Sequence, residues 1–208
     1  MLIEKLPPDM DLYRGYCDDL ARVLEAQKRD DRPCSGCDRP CGNHNSPTCA
    51  CECAPNCVHA PKQMSSDGER FPIETGIAPL VLAFLQLREL NPCWSCEGHE
   101  ANPGAEARPP RVIFYARSTL YPALVAEAVS VLQFQKKLSC PWEVAVTPVG
   151  NMLDATYTLQ PNLADAKKPT LRQLQNDVLV IAENLQTELV NAARRYQAEL
   201  RATVHELA

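Results

Sequence analysis

Eleven cysteines and four histidines carry most of the reactive chemistry in this chain of 208 residues, and spacing sorts nine of the cysteines and three of the histidines into two groups. The first lies between Cys34 and His59. Cys34 and Cys37 form a CxxC, Cys41 follows three residues on, Cys49, Cys51 and Cys53 make a CxCxC, and Cys57, His44 and His59 complete the set. Soft thiolates and imidazoles at such short spacing select Zn²⁺ or an iron–sulfur centre. Val58 is the only large aliphatic residue in the stretch, so burial does not hold it. A structural zinc takes four ligands; these nine donors therefore suffice for two ions with one left over, and the pairing of ligand to ion stays open. Zinc is the leading expectation. An iron–sulfur cluster is the alternative, although CxxCxxxC matches neither the bacterial nor the plant-type ferredoxin pattern. Metal storage by the CxCxC is a third reading, weakened by the folded domain attached to it.

The second group is Cys93, Trp94, Ser95, Cys96, Glu97, Gly98 and His99. Its CxxCxxH spacing offers Cys93, Cys96 and His99 as a metal half-site, either independent or completing the first cluster. A thioredoxin-like redox motif needs a strand before the CxxC and a helix opening at it. The pattern here predicts a helix that stops at Asn91 and Pro92, then a turn, so that context is not expected. A catalytic arrangement is the competing reading: Cys96 as thiolate, His99 lowering its pKa and Glu97 as acid or base, gathered by a turn at Gly98. The sequence leaves open whether the chain is an enzyme.

Asp67, Gly68, Pro79 and Leu80, followed by Trp94, Ser95, Cys96, Glu97, Gly98 and His99, resemble in order the tRNA wybutosine-synthesis methyltransferases of the third step, where a Ser-Cys-Ser-Gly-Arg turn follows a helix. His99 stands where that family has its basic final residue, and no activity is carried over from the resemblance.

The elements that must position these groups follow from periodicity. A first amphipathic helix runs to about Lys28 with Leu12, Tyr16, Leu20, Val23 and Leu24 on one side; Cys17, beside that stripe, is expected to be a buried structural thiol. A buried helix over about 78–90 contains Pro79 in its first turn. Val112 to Tyr115 reads as an inner strand, Leu120 to Leu138 as a helix entered through Ser118 or Thr119, and the runs at 142–147 and 155–159 as further strands. From Thr170 onward there is neither Pro nor Gly, and apolar residues recur every three or four positions. A helix of that length would reach ~57 Å at 1.5 Å per residue. It is expected either to pack across its own domain or to pair with a second copy or another protein.

The whole is expected to be α+β: a small sheet of three to four strands with packed helices, a Cys-rich metal-binding segment and a long C-terminal helix. Its expected parts are an N-terminal helix over 1–33, the Cys-rich segment over 34–62, the core over 63–166 and the C-terminal helix over 167–208. A net charge of −5 supplies no footprint for a phosphate backbone, so nucleic acid is not an expected partner. No apolar run approaches the ~20 residues of a membrane span. The acidic, Pro-interrupted start lacks the pattern of a signal peptide. An odd cysteine count without such a signal fits a reducing, cytoplasmic setting better than a disulfide framework.

Overall fold

The computed structural model describes residues 10–26, 72–87, 89–101, 107–147, 155–164 and 169–207. The stretch from Cys34 to His59, with every ligand expected of it, lies outside these residues. What is described is an α+β architecture, with four helices and a four-stranded antiparallel sheet.

Helix α1 spans Met10–Ala26. Leu20 and Val23 are buried and Tyr16 and Leu24 pack against the core, whereas Leu12 is 49% exposed, so the stripe meets the core from Tyr16 onward. Cys17 is exposed, contrary to expectation. One residue along a helix is a rotation of about 100°, which carries Cys17 off the edge of the stripe that Tyr16 marks.

Helix α2 spans Ala78–Gln86 with Pro79 in its first turn and Ala78, Leu80, Val81, Ala83 and Phe84 buried. It stops short of the expected end, because Leu90–Cys96 is a strand, β1. The Asn91–Pro92 pair that reads as a helix stop lies inside this strand. Sheet order β1-β2-β4-β3 puts β1 at an edge, where a proline's missing N–H is tolerated.

Strand β2 (Arg111–Ala116) is inner, as expected, and pairs antiparallel with both β1 and β4. Helix α3 (Leu120–Phe134) then crosses to β3 (Trp142–Thr147), which pairs with β4 (Thr156–Pro161). Since β4 is antiparallel to both neighbours, β2 and β3 run the same way with β4 between them, a split β-α-β arrangement. One face of the sheet carries Val112, Phe114 and Leu159, all fully buried. Phe114 packs against Phe84 of α2 at 4.8 Å between ring centroids and against Tyr157 at 5.8 Å.

Helix α4 (Leu171–Leu207) has 37 residues, about 55 Å of helix. It lies against α1, α2 and α3. Leu174, Val178, Ile181, Leu185, Leu189 and Ala192 recur at helical spacing and are all buried within this chain. A single carboxylate locks the helix to the sheet. Asp177, 1% exposed, accepts from the Ser139 amide at 3.0 Å, the Ser139 hydroxyl at 2.7 Å and Trp142 Nε1 at 3.2 Å. A second buried carboxylate, Asp19, ties α1 to the entry of α3: it accepts from Ser118 Oγ at 2.6 Å and pairs with Arg22 at 3.0 Å. Burial, then the charges of Asp19 and Glu89, push the Tyr121 phenol beside it well above its ordinary value. Among the described residues no helix is long and apolar enough to cross a membrane.

Candidate metal centre

Helix α2 and strand β1 form a return. The helix leads away from the segment 72–77, a short connection reverses the chain, and β1 packs back along the helix. Seven residues of strand rise farther than nine of helix, about 23 Å against 13 Å. The end of β1 therefore reaches the level of Glu74.

Two reciprocal hydrogen bonds fasten these ends together. The Glu97 amide donates to Glu74 Oε2 at 2.7 Å, and the Gly76 amide donates to Glu97 Oε2 at 2.7 Å. Gly98 then turns the chain with φ of +87°, a region that favours glycine. A Cβ there would lie 2.7 Å from Leu171 Cδ1 and 2.9 Å from both Cδ and N of Pro110, so the N-terminus of α4 closes over the turn. His99 is held next by a two-way backbone bridge to Arg108, at 2.8 and 2.9 Å. From α4, Gln175 Nε2 donates to the Glu97 carbonyl at 3.4 Å.

The outcome is a group of three donors of different chemistry. A carboxylate oxygen of Glu74, the sulfur of Cys96 and a ring nitrogen of His99 all lie within 4.8 Å of one another. His99 Nε2 is 3.0 Å from Glu74 Oε1. Cys96 is 5% exposed, whereas the His99 side chain is 48% exposed and that of Glu74 33%, so the group is dry at the sulfur and open at the imidazole. Among the described residues no fourth His, Cys, Asp or Glu joins it.

Of the residues that sequence spacing singles out in the second group, Cys96 and His99 come together here. Glu97 takes part through its amide, its carboxylate being engaged by Gly76. Cys93 stands apart. It is the unpaired residue where the β1–β2 register shifts between Pro92 and Trp94, it is exposed, and its thiol donates to the Ile113 carbonyl at 3.4 Å. Desolvation pushes its pKa above the ordinary thiol value, against the effect of a backbone hydrogen bond. A CxxC on a strand sets its Cα atoms about 10 Å apart at 3.3 Å per residue, unlike the tight loop that lets two sulfurs share one ion. Glu74 was not legible from spacing; only the return of β1 along α2 brings it to Cys96, and no periodicity marks that contact. Neither a protein-family model nor a curated protein nor a solved structure matches the chain.

Proposed function

We propose that the chain is a zinc protein in which Glu74, Cys96 and His99 hold one ion and leave its fourth position open. The observation that carries this is the convergence of the three donors within 4.8 Å. Two N/O donors at 2.0–2.1 Å from one zinc are about 3.3 Å apart at the tetrahedral angle, and sulfur stands about 3.5 Å from either. The Glu74–His99 separation of 3.0 Å already fits, so only the thiol needs to close, by about 1.3 Å at most. The surrounding contacts favour ligation, since the second Glu74 oxygen is oriented by the Glu97 amide and His99 is fixed by its backbone bridge. Three protein ligands with a free position is the pattern of catalytic rather than structural zinc, which favours activation of water or of a bound polar substrate. The cysteines and histidines from Cys34 to His59 form, in this reading, a separate zinc module for structure or partner binding. An odd number of cysteines, most of them clustered at metal-ligand spacing, suits a reducing compartment, the cytoplasm, better than a disulfide framework.

One contact favours a second reading, thiol catalysis without metal. The Glu74–His99 bond would orient an imidazole as base toward the Cys96 thiol. Zinc stoichiometry of the full chain, measured by elemental analysis after exhaustive dialysis against a weak chelator, separates the two. Cys96→Ser and His99→Ala are each expected to lose one zinc per chain relative to wild type while the remaining ions stay bound. Equal zinc content in wild type and both variants would sink the metal reading. Rapid alkylation of Cys96 that slows in His99→Ala would then support the thiol reading.

A further inference from the structure

The register of the edge strand places a cation beside this centre. Cys96 is directly opposite Arg111, and Trp94 is opposite Ile113, so Cys96, Trp94 and Arg111 share one face of the sheet. It is the face opposite the helices, since Val112 and Phe114, the alternate residues of β2, are the ones buried in the core. The bulge at Cys93 makes this possible. Leu90 and Pro92, before it, lie opposite the core-facing residues Ala116 and Phe114, and the extra residue shifts the alternation so that Trp94 and Cys96 fall on the other side.

On that face the Arg111 guanidinium lies over the Trp94 ring, 4.8 Å from its centroid. Trp94 is 44% exposed, an unusual position for so large a ring. Arg111 Nε is buried and has no hydrogen-bond partner, and among the described residues no carboxylate pairs with the guanidinium. An unsatisfied buried donor on a cation is costly unless a ligand completes it. Stacking occupies one face of the guanidinium, and its edge, the part that grips an oxyanion with two parallel N–H donors, has no partner at Nε.

We propose that Arg111, held flat on Trp94, is an oxyanion-binding residue, and that its ligand carries a carboxylate or phosphate group. Resting on the zinc reading, this group anchors the substrate while a neighbouring polar atom reaches the open position at Glu74, Cys96 and His99. Cross-strand neighbours are about 5 Å apart at Cβ, so one small molecule spans both.

The test is calorimetric titration of the full chain with inorganic phosphate and, separately, with malonate, accompanied by tryptophan fluorescence. The expected result is a dissociation constant of about 1 mM for at least one anion, with a fluorescence change that disappears in Trp94→Phe. The tighter of the two names the anion class. Arg111→Gln is expected to weaken binding about tenfold or more, and Arg111→Lys, which keeps the charge and stem but not the fork, severalfold. Since Arg111→Lys preserves the fold more gently, undiminished binding in it and in Arg111→Gln would overturn the proposal, as would failure of wild type to bind either anion at about 10 mM. His99→Ala is expected to weaken the binding less than Arg111→Gln does. A loss in His99→Ala as large as in Arg111→Gln would put the anion on the metal centre and overturn the assignment to Arg111.

Discussion

Replacing Gly98 by alanine tests whether the turn after β1 is what positions the candidate centre. Two costs add. At φ of +87° an L side chain sits in the left-handed half of backbone space, a penalty of roughly 1–2 kcal/mol. The new methyl would lie 2.7 Å from Leu171 Cδ1 and 2.9 Å from the ring and backbone nitrogen of Pro110. Leucine can rotate away; a proline ring already bonded into the main chain cannot, so the turn itself must shift, at about 1–3 kcal/mol for overpacking. The sum is about 3 kcal/mol, a fall of roughly 6–12 °C in Tm for a domain of this size. Gly76→Ala is the matched control. Its Cβ would meet Glu97 Oε2 at 2.8 Å, the far end of a flexible side chain, and its φ is not in the left-handed region. Swinging Glu97 aside forfeits the bond from the Gly76 amide, about 1 kcal/mol or 2–4 °C. Differential scanning calorimetry of both variants, with zinc content measured in parallel, gives the answer. Gly98→Ala should be the less stable and should hold one zinc fewer, because the shift separates His99 from Cys96. A Gly98→Ala protein as stable as Gly76→Ala would refute the positioning role of the turn.

Other outcomes are expected elsewhere in the fold. Asp177→Asn keeps the shape but turns one acceptor oxygen into a donor facing Ser139 and Trp142, so urea unfolding should show a loss of about 2–3 kcal/mol; a change under about 0.5 kcal/mol would contradict the role given to that carboxylate. Burial and the Asp177 charge push the Cys140 thiol up to about 11, while Cys17 is exposed on α1. At pH 8 the Cys140 thiolate fraction is then about one in a thousand. Iodoacetamide followed by peptide mass spectrometry should modify Cys17 long before Cys140 in the native chain, with the difference vanishing in denaturant. By linkage, a thiol whose folded pKa is raised contributes its full stabilisation below the unfolded value of 9.0 and loses it as pH rises toward 11. The urea midpoint should accordingly decline across that interval, and less so in Cys140→Ala.

Sequence patterning reached the parts of the fold that depend on local signals. The inner strand around Val112 and Phe114, the alternating strand at Trp142, and the long Pro- and Gly-free run of α4 are each written in their own periodicity. Strand β1 was not. Asn91 and Pro92 are ordinary helix stops, and only the strand's place at the sheet edge makes Pro92 compatible with it. Cys17 failed for a similar reason, since one residue of helical rotation decides between core and solvent. At the site, Cys96 and His99 were marked by spacing across a glycine. The third donor, Glu74, lies in a segment with no motif of its own, and its contact depends on how far a strand rises beside a helix.

The number of donors at the centre bears on what the zinc reading implies. A structural zinc closes its shell with four protein ligands, usually two or more of them thiolates supplied from tight loops. Here the single CxxC nearby is stretched along β1 with its first thiol turned to a backbone carbonyl, so Cys93 does not serve as the fourth ligand in this geometry. What lies beside the group instead is a guanidinium stacked on an exposed tryptophan, with no carboxylate partner among the described residues. A closed structural site gains nothing from such an adjacent cation, which would repel the ion and weaken binding. An open site whose substrate brings a negative charge is served by it, because the anion offsets that repulsion and is itself placed for the metal. The bulge at Cys93 puts Cys96 and Trp94 on the same face as Arg111; a regular strand of the same sequence would continue the alternation of Leu90 and Pro92 and turn both toward the helices. Deleting Cys93 should therefore leave Trp94 opposite Ile113 and Cys96 opposite Arg111, and zinc at Cys96 and anion binding at Arg111 should both survive it, as they should in Cys93→Ser, which keeps the bulge; loss of both in the Cys93→Ser protein would contradict this account of the face.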